Sequence, residues 1–319
     1  MKLKESESKR NTKGTATPLI LDIKGNSLDD GPGIRSVVFF KGCPLNCLWC
    51  HNPESKRRGV EISHDPALCL GCGACAGTCR FGAVSPKNPF FVDRNICTLC
   101  FECLGTCPSG ALTRVGREMT VEQIVATIER DKPFFDNSGG GVTLSGGEPT
   151  LFPEFLAKLL RVLRKKGIRV LLETCGLFDG DYFLKEIYPL LDAVYFDLKL
   201  IDDTAHRKYC GASNALILEN FRRLAREEKK GGISVLPRTP LVPGITDSRE
   251  NLTGLAAFLK GEGVRRAALL AYNPLWYDKQ RKIGLAENPE TNKAMRGFQK
   301  PEAVKGCEAV YHAAGIETV

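Results

Sequence analysis

Eleven of the chain's fourteen cysteines fall between residues 43 and 107, and no other feature limits its chemistry so tightly. Clustered cysteines in a chain without an export signal mean metal more often than disulfide. They divide into three sets. Residues 43–52 read CPLNCLWCHN, 69–79 read CLGCGACAGTC, and 97–107 read CTLCFECLGTC, followed by Pro108. The first set is C-x₃-C-x₂-C. The other two are each C-x₂-C-x₂-C-x₃-C and lie 28 residues apart, so they form a repeat.

The first set admits three readings. Cys47-Leu-Trp-Cys50-His51 has the C-x-x-C-H spacing of covalent haem attachment. Cys43, Cys47, Cys50 and His51 have the donor types of a Cys₃His zinc site. The three cysteines alone can hold three irons of a four-iron cluster and leave the fourth bare. Haem attachment needs export, and the polar opening MKLKESESKRNTKGTATP lacks the apolar stretch of a signal peptide. That opening predicts a disordered tail over residues 1–17 and a cytoplasmic protein. His51 adjoins Cys50, a cramped arrangement for two ligands of one metal. An open coordination position is the usual mark of a catalytic metal.

The repeat reads differently. Zinc knuckles or disulfides are its plainer alternatives, but the spacing and the closing Cys-Pro are those of bacterial two-cluster ferredoxins. There the fourth cysteine of each run ligates the other cluster. Cys69, Cys72, Cys75 and Cys107 are therefore expected to hold one cluster, and Cys97, Cys100, Cys103 and Cys79 the other. Four thiolates close the shell, which suits electron transfer. Cys175, Cys210 and Cys307 are scattered and read as core residues.

The rest of the chain is ordinary for a soluble globular protein, with 43% hydrophobic residues in 319. That is enough for one large domain and a small one. No apolar run is long enough for a membrane helix. The formal charge of +8 is scattered, as in SKRR at 55–58 and LRKK at 163–166. It reads as a solvated surface, with an acidic protein partner as the other use of it. No basic stripe is interleaved with aromatics, so no nucleic acid is expected. Setting aside 59–112 leaves strands alternating with helices. Strands are expected at RSVVFF (35–40), GVTLSGGEPT (141–150), IRVLLETCG (168–176), AVYFDLKL (193–200), ISVLPRTPLVPG (233–244) and RAALLAYNPLW (266–276). Helices are expected at TVEQIVATIER (120–130), FLAKLLRVLRKKG (155–167), FRRLAREEKKGG (221–232) and ENLTGLAAFLKGEG (250–263). About six βα units with apolar strands predict an α/β fold with a parallel sheet covered by helices. Active residues belong at the C-terminal ends of such strands.

C-x₃-C-x₂-C with an aromatic before the last cysteine resembles the radical S-adenosylmethionine (SAM) signature. DDGPGIRSVVFFKGCPLNCLWCHNPES, residues 29–55, is similar to the opening of the activating enzymes of glycyl radical enzymes, such as pyruvate formate-lyase activase. The two-cluster insert matches a subset of them, which serves benzylsuccinate synthase, glycerol and choline lyases and hydroxyphenylacetate decarboxylase. The resemblance covers roughly residues 18–280. It implies a partial (β/α)₆ barrel over 18–58 and 113–319, with a bacterial-ferredoxin-like 2[4Fe–4S] insert over 59–112. It implies three [4Fe–4S] clusters, the first open on Cys43, Cys47 and Cys50. That cluster would cleave SAM to a 5′-deoxyadenosyl radical, which takes a hydrogen from a glycine of a partner glycyl radical enzyme. Flavodoxin or ferredoxin would supply the electron.

The resemblance also implies residue roles. Gly146, Gly147 and Glu148 would bind the methionine amino end of SAM, and Lys199 its carboxylate. Trp49, Cys50, His51, Asp197, Leu198, Leu200 and Asn273 would complete that site. Glu173, Thr174 and Asp197 would hold a monovalent cation, although the family often has Asp where Glu173 stands. Asn273 stands where other members carry His. Asp30, Gly31, Arg35, His206 and Arg238 would meet the partner's glycine region. His64 and His312 read as surface residues. Two other functions compete. A pure electron carrier leaves SGGEPT (145–150), the FDLKL strand end and the three-cysteine set without a purpose. A radical SAM enzyme acting on a small molecule or peptide does not call for DGPGIR. The sequence does not name the partner.

Overall fold

RSVVFF is a run of β-branched and aromatic residues, and it forms a fully buried strand. In the computed structural model, which describes residues 17–319, this is β2 (Arg35–Lys41). Of the tail expected over 1–17, all but Thr17 lies outside the described residues. β2 is followed in the sheet by β6 (Gly141–Gly146), β7 (Val170–Thr174), β8 (Ala193–Asp197), β9 (Ser234–Leu241) and β10 (Arg266–Ala271), each parallel to its neighbour. β1 (Leu19–Ser27) pairs antiparallel with β2, and the short β5 (Arg117–Glu118) pairs with β1. β11 (Glu317–Thr318) closes the other edge beside β10. The sheet is open and largely parallel: β2 and β6 to β10 give six parallel strands in one run, and the two-residue β11 adds a seventh.

Helices fill the crossovers. α3 (Val121–Ile128) starts on a capping box in which Gln123 N donates to Thr120 Oγ1 at 3.2 Å and Thr120 N to Gln123 Oε1 at 2.8 Å. Two orphan N–H groups of the first turn are satisfied this way. α4 (Lys132–Ser138) follows. α5 (Pro153–Lys165) buries Leu156, Leu159, Leu160 and Leu163, the helical spacing that marks a core-facing stripe. α6 (Gly180–Tyr182) runs into a π-helical turn (Phe183–Ile187). α7 (Asp203–Cys210) and α8 (Ala215–Lys229) lie between β8 and β9, and α9 (Arg249–Gly261) lies between β9 and β10. α10 (Trp276–Lys282) and α11 (Pro301–Ala313) follow β10. α8 starts six residues before the stretch expected from FRRLAREEKKGG. β9 runs through both Pro237 and Pro240, where the fixed φ of proline is compatible with extended backbone.

Residues 59–112 leave the sheet. β3 (Glu61–His64) and β4 (Leu112–Val115) form an antiparallel hairpin, with α1 (Ala74–Thr78) and α2 (Glu102–Gly105) inside it in sequence. This segment has its own small core of Ile62, Val84, Val92 and Leu112 around Cys75 and Cys103. Its seam with the sheet is polar. Lys41, fully buried at the end of β2, donates to Glu61 at 2.6 Å and to the Glu54 carbonyl at 2.6 Å. Burial pulls the Lys41 pKa down, and Glu61 opposes that. Lys282 of α10 pairs with Asp65 at 2.7 Å. Arg94 donates to the carbonyls of Ile62 at 2.9 Å and Lys282 at 3.4 Å. Gly284 follows with φ +69°, and a Cβ there would meet the Arg94 guanidinium at 1.8 Å, so only glycine fits.

Candidate functional site: a charged cavity behind three cysteines

The C-terminal ends of the parallel strands converge on a cavity of about 390 Å³. Cys43, Cys47 and Cys50 line it from the loop after β2, with Trp49 and His51. Ser145 and Gly146 end β6, Glu173 and Thr174 end β7, and Asp197 ends β8. Arg238 enters from β9, and Tyr272 and Asn273 follow β10. This is where chemistry is expected in a parallel α/β sheet. Asp29 and Asp30 reach the same cavity from the loop between β1 and β2.

The charged groups form one network. Arg238 donates to Glu173 Oε1 at 2.5 Å and to Asp197 Oδ1 at 2.9 Å and 3.0 Å. Lys199 Nζ lies 3.3 Å from Asp197 Oδ2, and Ser145 donates to Glu173 Oε2 at 2.6 Å. Burial works against every charge here. For Asp197, the Arg238 and Lys199 charges outweigh burial and hold the carboxyl below its usual range. For Lys199, burial is outweighed by Asp197 and the neighbouring cysteines, which raise its pKa. For Arg238, Asp197 and Glu173 outweigh burial in the same way. Opposite charges in one desolvated wall thus favour the ionised forms of Asp197, Lys199 and Arg238.

Glu173, Thr174 and Asp197, expected at a monovalent cation, all line this cavity. The Arg238 guanidinium already lies between the two carboxylates, so a small ion there would have to displace a bidentate partner. Among the described residues, no three His, Cys, Asp or Glu side chains converge closely enough to hold a single ion.

The SGGEPT turn is divided. Gly146 and Gly147 are on the cavity wall. They are glycines because the chain's own backbone packs on them. A Cβ on Gly147 would stand 2.1 Å from the Gly42 carbonyl, and one on Gly146 2.4 Å from the Phe40 nitrogen. Gly147 N donates to Phe40 O and Glu148 N to Gly42 O, both at 2.8 Å, clamping the turn to the cysteine loop. Glu148 is fully buried and not on the cavity wall. Its carboxylate accepts from Thr150 N (3.2 Å), Thr150 Oγ1 (2.7 Å), Thr174 Oγ1 (3.0 Å) and Cys175 N (2.7 Å). It ties β6 to β7. Leu198 and Leu200 are likewise buried in the core and not on the wall, since strand alternation gives Asp197 and Lys199 the other face.

The residues expected at the partner's glycine are spread out. Asp30 and Arg238 line the cavity. Arg35 is buried, donating to Thr143 Oγ1 at 2.7 Å, Val142 O at 2.6 Å and Pro32 O at 3.1 Å, and it latches the 28–34 loop to β6. Gly31 (φ +127°) is the turn that lets Arg35 pass. His206 is buried on α7 with Nδ1 2.6 Å from the Ala212 carbonyl, and it is not on the cavity wall.

Three contacts had no signal in the local spacing. Cys175 and Cys210 are buried, as expected of core residues. Cys175 also lines the cavity, and the neighbouring Cys210 thiol holds the Cys47 thiol below its ordinary range against the effect of burial. Lys56 donates to the Cys47 carbonyl at 2.7 Å. Lys279 of α10 donates to the His51 carbonyl at 2.9 Å and Asn52 Oδ1 at 3.0 Å, pinning the end of the cysteine loop.

The remaining eight clustered cysteines ring two smaller pockets. Cys69, Cys72, Cys75 and Cys107 line one, with His64, Phe91 and Ser109. Cys79, Cys97, Cys100 and Cys103 line the other, with Ile62, Phe81, Val84, Phe101, Thr98 and Glu102. Thiols spaced around a hollow suit a compact multi-atom inorganic group. α1 and α2 begin at left-handed Gly73 and Phe101, which bends each run tightly around its pocket.

The family model described as the radical SAM superfamily matches residues 71–256, a match that starts inside the insert and downstream of Cys43–Cys50. The isethionate sulfite-lyase activating enzyme of Nitratidesulfovibrio vulgaris is 40% identical over 269 residues, covering 82% of this chain and 86% of that one. The (2S)-3-sulfopropanediol sulfolyase activating enzyme of Bilophila wadsworthia is 40% identical over 288 residues, covering 89% and 94%. The choline trimethylamine-lyase activating enzyme of Oleidesulfovibrio alaskensis is 36% identical over 301 residues, covering 92% and 95%. With a largely parallel α/β sheet whose strand ends meet behind three cysteines, the chain belongs to the radical SAM superfamily and, within it, to the activating enzymes of glycyl radical enzymes.

Proposed function

We propose that this protein reductively cleaves SAM in the cavity behind Cys43, Cys47 and Cys50, and takes a hydrogen atom from a glycine of a partner glycyl radical enzyme. The observation that carries the reading is the juxtaposition of three thiols with Lys199, Arg238, Asp197 and Glu173 on one cavity wall. Cys43, Cys47 and Cys50 would hold a [4Fe–4S] cluster, which would supply low-potential one-electron chemistry for the cleavage. The protein's own part is placement. Lys199 keeps a cation where a carboxylate needs one. Arg238 neutralises the two acids behind it, so the wall is close to electroneutral before the ligand arrives. Gly146 and Gly147 let the turn pack against the cysteine loop, which would set the backbone wall at the methionine end. Trp49 and Asn273 border the space left for the nucleoside. Asp29 and Asp30 mark the side by which a glycine-bearing loop reaches the cavity. Glu148, whose carboxylate accepts from Thr150, Thr174 and Cys175, would act at the methionine end by holding that wall in place.

The two four-thiol pockets are read as closed [4Fe–4S] sites of a ferredoxin-like insert over 59–112, on a barrel of 18–58 and 113–319. They would pass electrons from a low-potential protein such as flavodoxin or ferredoxin. Among the described residues no helix is long and apolar enough to cross a membrane, and a cytoplasmic site of action accords with reduced thiols.

The test is electron paramagnetic resonance. The anaerobically reconstituted protein is mixed with SAM, a reductant and a large chain bearing a C-terminal R-V-x-G-[FWY] loop. A glycyl radical on that chain is expected. SAM consumed with no radical on any protein would sink the reading in favour of a small substrate.

A further inference from the structure

His64 is half-buried, with its ring turned inward. It ends β3 opposite Leu112, and its ring lies flat on Phe91 with centroids 3.8 Å apart and planes 10° apart. Nε2 is buried without a hydrogen-bond partner. The residue lines the pocket ringed by Cys69, Cys72, Cys75 and Cys107. A buried, unpaired polar nitrogen costs free energy unless something in that pocket pairs with it. Thiolate and sulfide sulfurs are acceptors, so the tautomer assigned from these surroundings carries the proton on Nε2.

The other pocket has no counterpart. Its walls are Ile62, Phe81, Val84 and Phe101, and its polar side chains are Thr98 and Glu102. Thr98 is exposed, and Glu102, a carboxylate acceptor, is paired with Arg80 at 2.5 Å. Arg94 acts on both sides, on His64 and on Cys97, so it does not distinguish the two. Ser109 stands 3.7 Å from Cys107 Sγ, a second donor on the His64 side.

We propose that His64 donates an Nε2–H hydrogen bond into the Cys69/Cys72/Cys75/Cys107 pocket and sets the cluster there at a higher reduction potential than its twin. The proposal rests on the reading of the two pockets as cluster sites. Reduction adds negative charge to the cluster, and a donor aimed at its sulfurs stabilises the reduced form. The insert is then a graded pair. The His64-side cluster fills first, and its neighbour is the stronger reductant.

The test uses the full-length reconstituted protein carrying Cys50→Ala to remove the barrel signal, with His64→Phe or His64→Gln added. Iron content and an EPR-monitored redox titration are read on the same samples. The parent should hold about eight irons and titrate in two separated waves. His64→Phe keeps the stack on Phe91 but has no donor. It should shift the equilibrium between the two reduced clusters by about tenfold or more, lowering the upper wave and leaving the lower one in place. His64→Gln retains an N–H and should recover much of the shift. Eight irons with both waves unmoved in His64→Phe would overturn the tuning role while leaving the cluster reading intact. A fall to about four irons in both His64 variants would also overturn it, making His64 a structural part of that pocket. A parent with no iron in the insert would overturn the cluster reading itself.

Discussion

The cavity at the parallel strand ends and the two pockets of residues 59–112 are lined by the same residue type in different surroundings. In the barrel, three cysteines stand at a space of about 390 Å³ whose far wall carries two carboxylates, a lysine and an arginine. In the insert, eight cysteines ring two tight, mostly apolar hollows. A site meant to bind a zwitterionic ligand needs room and matched charge. A site meant to pass electrons needs a closed donor shell and a controlled dielectric. The difference between three thiols and four is thus carried through to everything around them, and each prediction below tests that difference.

The largest effect is expected at the open set. Cys50→Ala should reduce SAM cleavage to background, with iron falling from about twelve to about eight per chain, because one set loses a ligand and the two insert sets do not. 5′-Deoxyadenosine is measured after reduction with dithionite. Wild-type turnover in this variant would place the reactive cluster in the insert and erase the contrast.

Next is the charged wall. Arg238→Met leaves Glu173 and Asp197 facing each other, with Lys199 as the remaining cation. Removing one partner of a buried network costs about 3–5 kcal/mol, so a clear drop in the denaturation midpoint is expected, together with weaker SAM binding by calorimetry. Arg238→Lys should recover only part of both, since an ammonium cannot bridge two carboxylates as a guanidinium does. Unchanged stability in Arg238→Met, with a new dependence on added potassium, would show that a small cation can take the place of the guanidinium.

Both regions were partly legible in the sequence, and the limits are physical. Every one of the six parallel strands carries an apolar run, so their existence followed from composition and period. β1 was not foreseen, because LILDIKGNS directly follows the polar opening and carries Asp22, Lys24, Gly25 and Asn26, residue types depleted in strands. α10 was missed because WYDKQRK is short and mostly polar, and α11 because Gly306 interrupts its short apolar spacing. In the site, the cysteines, Asp197 and Lys199 are local motifs. The partnership of Arg238 is not, because Asp197 is 41 residues away and Glu173 is 65. The same holds for His64, which enters its pocket by stacking on Phe91, far along the chain. Glu148 shows the converse. Its motif was visible, but four donors from its own turn and the end of β7 take its carboxylate.

The insert should show its closed, crossed design in a smaller effect. Cys107→Ala should cost the Cys69 set its cluster and leave the Cys97 set loaded, although Cys107 ends the second run. Cleavage driven by a protein donor such as flavodoxin should fall more than cleavage driven by dithionite, with SAM affinity intact. Deleting 59–112 should give the same donor-selective loss if the barrel folds without it. Equal loss with both donors would refute a relay and leave docking or support as the insert's role.

The smallest effect tests whether the two regions are mechanically separate. Lys282 on α10 pairs with Asp65 of the insert at 2.7 Å, and both side chains are about a quarter to a third exposed. That hydrogen bond, opposed by slight burial, holds the Asp65 carboxyl below its ordinary value of 3.8. Its contribution is therefore present above that pH and lost as pH falls below it. A pair this wet is worth about 1 kcal/mol or less at neutral pH. Lys282→Gln should lower the denaturation midpoint slightly and leave dithionite-driven cleavage unchanged. Lys279, one turn earlier, still fixes the His51 carbonyl and Asn52 beside Cys50, so the cavity keeps its shape when the insert is loosened. A large loss of dithionite-driven turnover in Lys282→Gln would mean that α10 transmits the position of the insert into the cavity, and that the open and closed sites are not independent.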